Sequence, residues 1–261
     1  MRKPTFFFTG ENSWKKSTKW PPDNVEYKSL YIQAKGKLSF EKPVPAQTAN
    51  RGKAAVFSEY TSDPSHPVPY TEDVHNQRTR EYMTDDQRFA GRRPDVLSFQ
   101  TDTLAEELTL AGPVIASLIT AINTTDADFV VKLIDVFPDY FTYDSSLKGN
   151  GNVYPMGGYQ MLVRGEIMRG KFRNSFETPA PFIPNKITPV KYELPDVAHT
   201  FKKGHRLMIQ IQSSWFPLAD RNPQKFINIY TANDSDFQKA VIRIYHDPVN
   251  MTQFILPVIK K

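Results

Sequence analysis

The chain has 261 residues, no cysteine, and 33 basic against 28 acidic residues for a net charge of +5. Without cysteine there is no disulfide framework, no thiolate metal site and no cysteine nucleophile, and the redox compartment stays open. No stretch reaches the roughly 18 consecutive apolar residues of a membrane span. The only tight basic cluster, Lys15, Lys16 and Lys19, is too short for a nucleic-acid footprint, so neither a membrane nor a nucleic acid is expected as a partner.

A chain this long can bury a sizeable core as one unit, and a single domain over residues 1–261 is expected. The 21 prolines and 12 glycines are scattered, and aromatic residues make up 13%, which suits many short strands separated by turns. The N-terminal "MRKPTFFFTGENSW" has an apolar run of only three aromatics. No signal peptide is expected from it; the compartment stays unassigned, and a secreted or periplasmic parent protein is compatible.

In chain order, "SLYIQA" (29–34) and "PDVLSFQT" (94–101) read as strands. "LTLAGPVIASLITAI" is apolar enough for a helix, but Pro113 and the flanking β-branched residues argue for two strands joined or bulged at Ala111 to Pro113. "ADFVVKLIDVFPDY" from Ala127 reads as a buried strand ending at Pro138. "HRLMIQIQSSW" alternates, with Leu207, Ile209 and Ile211 on a core face and Met208, Gln210 and Gln212 on the other. "KAVIRIYH" and "TQFILPVIK" complete the strands. Short helical turns are expected in "DDQRFAGR" and in "NDSDFQKA", where Asn233 or Asp234 can cap. Residues 41–55, 61–80 and the glycine-rich "SSLKGNGNVYPMGGYQ" read as loops.

The search for chemistry is mostly negative. The G-x-S-x-G elbow of α/β-hydrolases is missing, and Ser213 and Ser214 lack flanking glycines, so no catalytic residue is assigned. The five histidines form no H-x-x-x-H pattern and no metal site or cofactor is expected, although folding could gather two of them. Asp126 and Asp128 in "TTDADF" read as turn chemistry. The densest charge lies in "YMTDDQRFAGRRPDV", where Asp85 and Asp86 stand among Arg88, Arg92 and Arg93. Arginines hold carboxylates ionised, so these five residues are expected to clasp a loop and not to act as acid and base.

"DDQRFAGRRPDVLSFQTDTL", "LTLAGPV", "DADFVVKLIDVFPD", "GGYQMLVRGEIMRGKFRNSF", "FKKGHRLMIQIQSSWFPLADRNPQ" and "ILPVIKK", in that order, resemble the C-terminal domain of the family that holds α-amino-acid ester hydrolases, glutaryl-7-aminocephalosporanic acid acylases, cocaine esterase and X-prolyl dipeptidyl peptidases. The resemblance implies a mostly-β, galactose-binding-like jelly-roll sandwich with long loops and a few short helices. It further implies that the catalytic serine belongs to an α/β-hydrolase domain of the same parent protein, on which this domain packs, and that family members form homo-oligomers partly through it. It makes the loop holding Tyr82 and Met83 part of the acyl-pocket wall. Trp215, Phe216, Asp220 and Arg221, at the end of the alternating strand, become a candidate interdomain contact. A free-standing carbohydrate-binding jelly-roll is the alternative, and would need Trp14, Trp20 or Trp215 exposed on one concave face.

Overall fold

A computed structural model describes residues 4–44, 55–77, 79–141 and 155–260. The chain opens with a hairpin, β1 (Thr5–Phe8) and β2 (Ser13–Lys16), followed by β3 (Val25–Gln33), β4 (Lys37–Ser39) and β5 (Phe57–Ser62). A short helix, α1 (Arg88–Gly91), precedes β6 (Leu97–Gln100), β7 (Leu108–Ile122), β8 (Asp128–Val136) and β9 (Gln160–Arg169). β10 (Thr188–Phe201), β11 (Arg206–Gln212), β12 (Ala240–Tyr245) and β13 (Gln253–Ile259) complete the fold.

Eleven strands bond in one sheet along the path β5-β12-β7-β13-β3-β4-β6-β11-β8-β9, with β10 added to β7. Among the described residues its ladders are antiparallel except the single β4–β6 link. That path folds back on itself as a β-sandwich, because apolar residues of both halves share one core: Leu110, Val114 and Leu118 of β7 with Phe129, Val131 and Leu133 of β8 and Leu207, Ile209 and Ile211 of β11. Alternating side chains on each strand deliver this face, as the pleat requires.

One strand takes the bulged alternative of the sequence expectation, and another differs from it. The segment around Pro113 is one continuous strand, β7, with its irregularity taken up in register: β10 slips between Leu194 and Val197 opposite Val114 and Gly112. Gly112 sits at φ 128 with Pro21 Cγ 2.8 Å from where a Cβ would stand, so no other residue fits there. β11 is buried on both faces, Gln210 and Gln212 included. Its second face lies under irregular chain, where Gln210 Nε2 donates to the Gln87 carbonyl (3.2 Å) and Gln212 Nε2 to that of Ser214 (2.7 Å).

The expected loops fall partly outside the described residues, at 45–54, 78 and 145–154, Gly149 and Gly151 among them. Residues 61 and 62 still belong to β5. "NDSDFQKA" yields a short turn at Asp234–Asp236, with Asn233 and Asp236 in a capping box.

Candidate functional site: a groove between the sandwich and its covering loops

Among the described residues, the outer face of β8 and β9 is covered by loops and short helical turns from 63–96 and 213–222 and not by a second sheet. A small apolar cluster of Tyr70, Val130 and Trp215, with Tyr82, Leu162, Ile167 and Leu218 against it, joins the two layers. Trp215 lies close enough to the sheet to need a hole in it. A Cβ on Gly165 would stand 2.8 Å from Trp215 Cη2, so the glycine of β9, paired with Lys132 of β8, makes room for the indole.

Beneath the ring lies Lys132, fully buried and with no carboxylate partner among the described residues. Its Nζ donates to Gln87 Oε1 (2.9 Å) and stands 5.0 Å from the Trp215 ring centre. Burial pushes its pKa down to about 7. Gln87 in turn donates to the Asp85 carbonyl (2.9 Å), so the lysine is tied into the loop before α1.

That loop presents Tyr82 and Met83 on a single turn, Glu81–Met83. The Tyr82 ring meets Trp215 edge-on at 6.0 Å and lies 5.7 Å from Tyr70, while Met83 is 48% exposed. Together with Tyr159, Leu162, Gly165, Val197 and Phe7 they line a groove of about 740 Å³, within the range of small-molecule sites.

The five charged residues do not form one cluster. Asp86 accepts from the Arg88 amide (3.1 Å), Arg88 Nε (2.7 Å) and the Gln160 amide (3.2 Å), bonding the start of α1 to β9. Arg93 forks onto Asp95 (2.9 and 2.8 Å) and reaches the His66 carbonyl (2.8 Å). Asp85 faces away, accepting from the Glu72 amide (3.1 Å), and burial raises its pKa. Arg92 is exposed.

At the other candidate surface, Trp215 is only 6% exposed, because Gly165 lets it sink onto Lys132. Phe216 is 38% exposed, and its backbone bonds with Val68 and Tyr70 (2.9 Å each). Asp220 and Arg221 reach different partners: the Asp220 carbonyl accepts from Arg169 (3.2 Å), and Arg221 donates to the Pro64 carbonyl (3.0 Å). The tryptophans share no platform. Trp20, stacked on Phe6, lines a different groove from Trp215, and Trp14 lines neither.

Several buried polar groups escaped the sequence reading. Asp135 holds two histidines, His199 (3.1 Å) and His205 (2.8 Å), and Thr9 reaches the other side of His199 (2.8 Å). Asp126 does accept from a local turn amide, that of Ala127 (3.0 Å), but it and Asp128 are buried and share Asn222, with Asp128 paired to Arg169. Burial, then the neighbouring Asp128, pushes Asp126 up to about 6. Lys132 and Asp135 could have been suspected as charges inside the apolar run "FVVKLIDV"; the histidines carry no local signal.

Comparison with known proteins bears on what such a domain belongs to. An α-amino acid ester hydrolase of known structure is 40% identical, with a TM-score of 0.84 over 97% of this chain. An aminopeptidase from the marine sediment archaeon Thaumarchaeota archaeon is 38% identical, with a TM-score of 0.87 over 98%. Cocaine esterase from Rhodococcus sp. (strain MB1 Bresler) is 27% identical over 259 residues, 99% of this chain. The chain spans only 40 to 42% of the length of each. Residues 6–253 match the family of X-Pro dipeptidyl-peptidase C-terminal non-catalytic domains, and the chain belongs to that family.

Proposed function

We propose that the chain is the accessory domain of a serine ester or amide hydrolase, and that the groove rimmed by Tyr82 and Met83 forms part of the wall that receives the acyl group. The nucleophile belongs to the α/β-hydrolase portion of the parent polypeptide, which attacks the substrate carbonyl and passes through an acyl-enzyme. This domain holds the acyl side chain in place. The observation that carries the reading is the convergence on one open groove of an adaptable thioether, half exposed, and a phenol braced on Trp215. Relatives named as esterase, ester hydrolase and aminopeptidase support the reaction class.

In this reading the Asp86–Arg88 and Arg93–Asp95 pairs keep the loop in shape, and the Phe216 surface meets the hydrolase portion. Kinetics of the full-length enzyme test it. Tyr82→Ala and Met83→Ala should each raise KM or alter preference among acyl groups, on the order of tenfold in kcat/KM for bulky groups, with the melting temperature nearly unchanged for Met83→Ala and lowered, but with the fold retained, for Tyr82→Ala, whose ring packs on Trp215. Unaltered kinetics for both variants across small and bulky acyl groups would refute the wall role.

A further inference from the structure

Among the described residues β9 is the last strand of its layer: β8 pairs with one side of it, and on the other side the backbone pairs only at an isolated antiparallel bridge between Met161 and Asp86, while β10 runs close by, unpaired, as the far wall of the groove. At that bridge the Gln87 amide already donates to the Gln160 carbonyl (3.0 Å), so the outer edge accepts antiparallel partners. Beyond Met161 the ladder stops. The groove then runs along the strand, lined by every residue from Met161 to Ile167, a length of about 20 Å at the usual rise per residue.

Polar groups along this stretch lack the partners that a ladder would supply. The Ile167 amide bonds to the side chain of Glu166 (2.8 Å) instead of to β8, so it points outward, and strand alternation turns the Gly165 amide the same way. A charged side chain folded over an open edge is how sheets keep such edges from pairing at random. The indole N–H of Trp215 and Nε of Arg164, on two residues of the groove wall, are buried behind its surface without acceptors among the described residues. Edge residues of an antiparallel strand turn their N–H and C=O to the same side, so Gly165 and Ile167 offer donors and acceptors alike, and an extended polypeptide supplies both at the matching spacing.

We propose that the β9 edge is a strand-addition site, occupied by an extended segment of the polypeptide outside this chain that pairs with residues 163–167 and displaces Glu166. This rests on the accessory-domain reading. The relatives carry about three-fifths of their length outside the matched region, so the occupant is covalently tethered and meets the edge at the high effective concentration that a linked segment provides. Main-chain pairing would fix how the two parts seat, and with it the position of the Tyr82 rim.

Hydrogen exchange at single-residue resolution on the full-length protein tests the proposal. The Gly165 and Ile167 amides should exchange as slowly as the β8-bonded amides of Glu166 and Met168, should stay slow on dilution to nanomolar concentration, and should stay slow in Glu166→Ala. Exchange of Gly165 and Ile167 at least about 100-fold faster than their neighbours would overturn it. So would protection lost in Glu166→Ala, which marks a local side-chain cap, or protection lost on dilution, which marks a second copy. Fast edge exchange together with altered kinetics in Tyr82→Ala would reject strand addition while leaving the accessory domain in place.

Discussion

Lys132 is the residue that most constrains the groove floor. An ammonium placed in a dry interior without a carboxylate is held there at a cost, which appears as a pKa of about 7 instead of the ordinary 10.5. The sign follows from linkage. Between pH 7 and 10.5 the unfolded chain binds a proton that the folded chain does not, so this group makes stability rise with pH, by up to about 1.4 kcal/mol per unit. Lys132→Met should abolish that rise while leaving Trp215 seated, as denaturant unfolding from pH 6 to 10 would show; an unchanged slope would mean the lysine is solvated. Gly165 is the matching constraint from above. Gly165→Val puts a side chain where the indole lies, and should cost about 1–3 kcal/mol and shift the tryptophan emission to the red.

Among the elements, the junction of α1 and β9 depends on one acid. Asp86 satisfies two backbone amides and one guanidinium. Asp86→Ala strips three donors at once and should lower stability by about 2 kcal/mol or more, measured by thermal unfolding, and through the displaced loop reduce activity of the full-length enzyme; Asp86→Asn, which keeps an acceptor, should lose less. The paired role of Asp86 and Arg88 was legible from spacing, because a carboxylate two residues before an arginine at a helix start can meet both the amide and the fork. That Asp85 would turn to the Glu72 amide was not, since it depends on where the chain around Glu72 is laid down. Strands with alternation, such as β11, were readable down to the core residues. Their second faces were not: alternation reports polarity, and Gln210 and Gln212 are polar yet covered by loops that bond to them.

Across the whole molecule, the sandwich supplies rigidity and the loops above β8 and β9 supply the surface. The family resemblance was carried by ordered blocks that are mostly strands of the core, which is why it located the fold but gave no sign of the pairing of His199 and His205 on Asp135. Those contacts link β8, β10 and the segment before β11, far apart in sequence, and no local pattern encodes them. The same distance in sequence separates the walls of the groove, so the proposed acyl-binding role belongs to the assembled domain and, through it, to the larger enzyme.

That role requires the Tyr82 and Met83 rim to face the acyl group of a substrate bound to the parent enzyme. An active-site-directed phosphonate carrying a photoreactive diazirine on its acyl side chain, reacted with the full-length enzyme and irradiated, reads this directly by peptide mapping. Crosslinks are expected within residues 82–84, and should be lost in the Tyr82→Ala, Met83→Ala double variant although the serine is still labelled. Crosslinks confined to the hydrolase portion, with none on this chain, would contradict it.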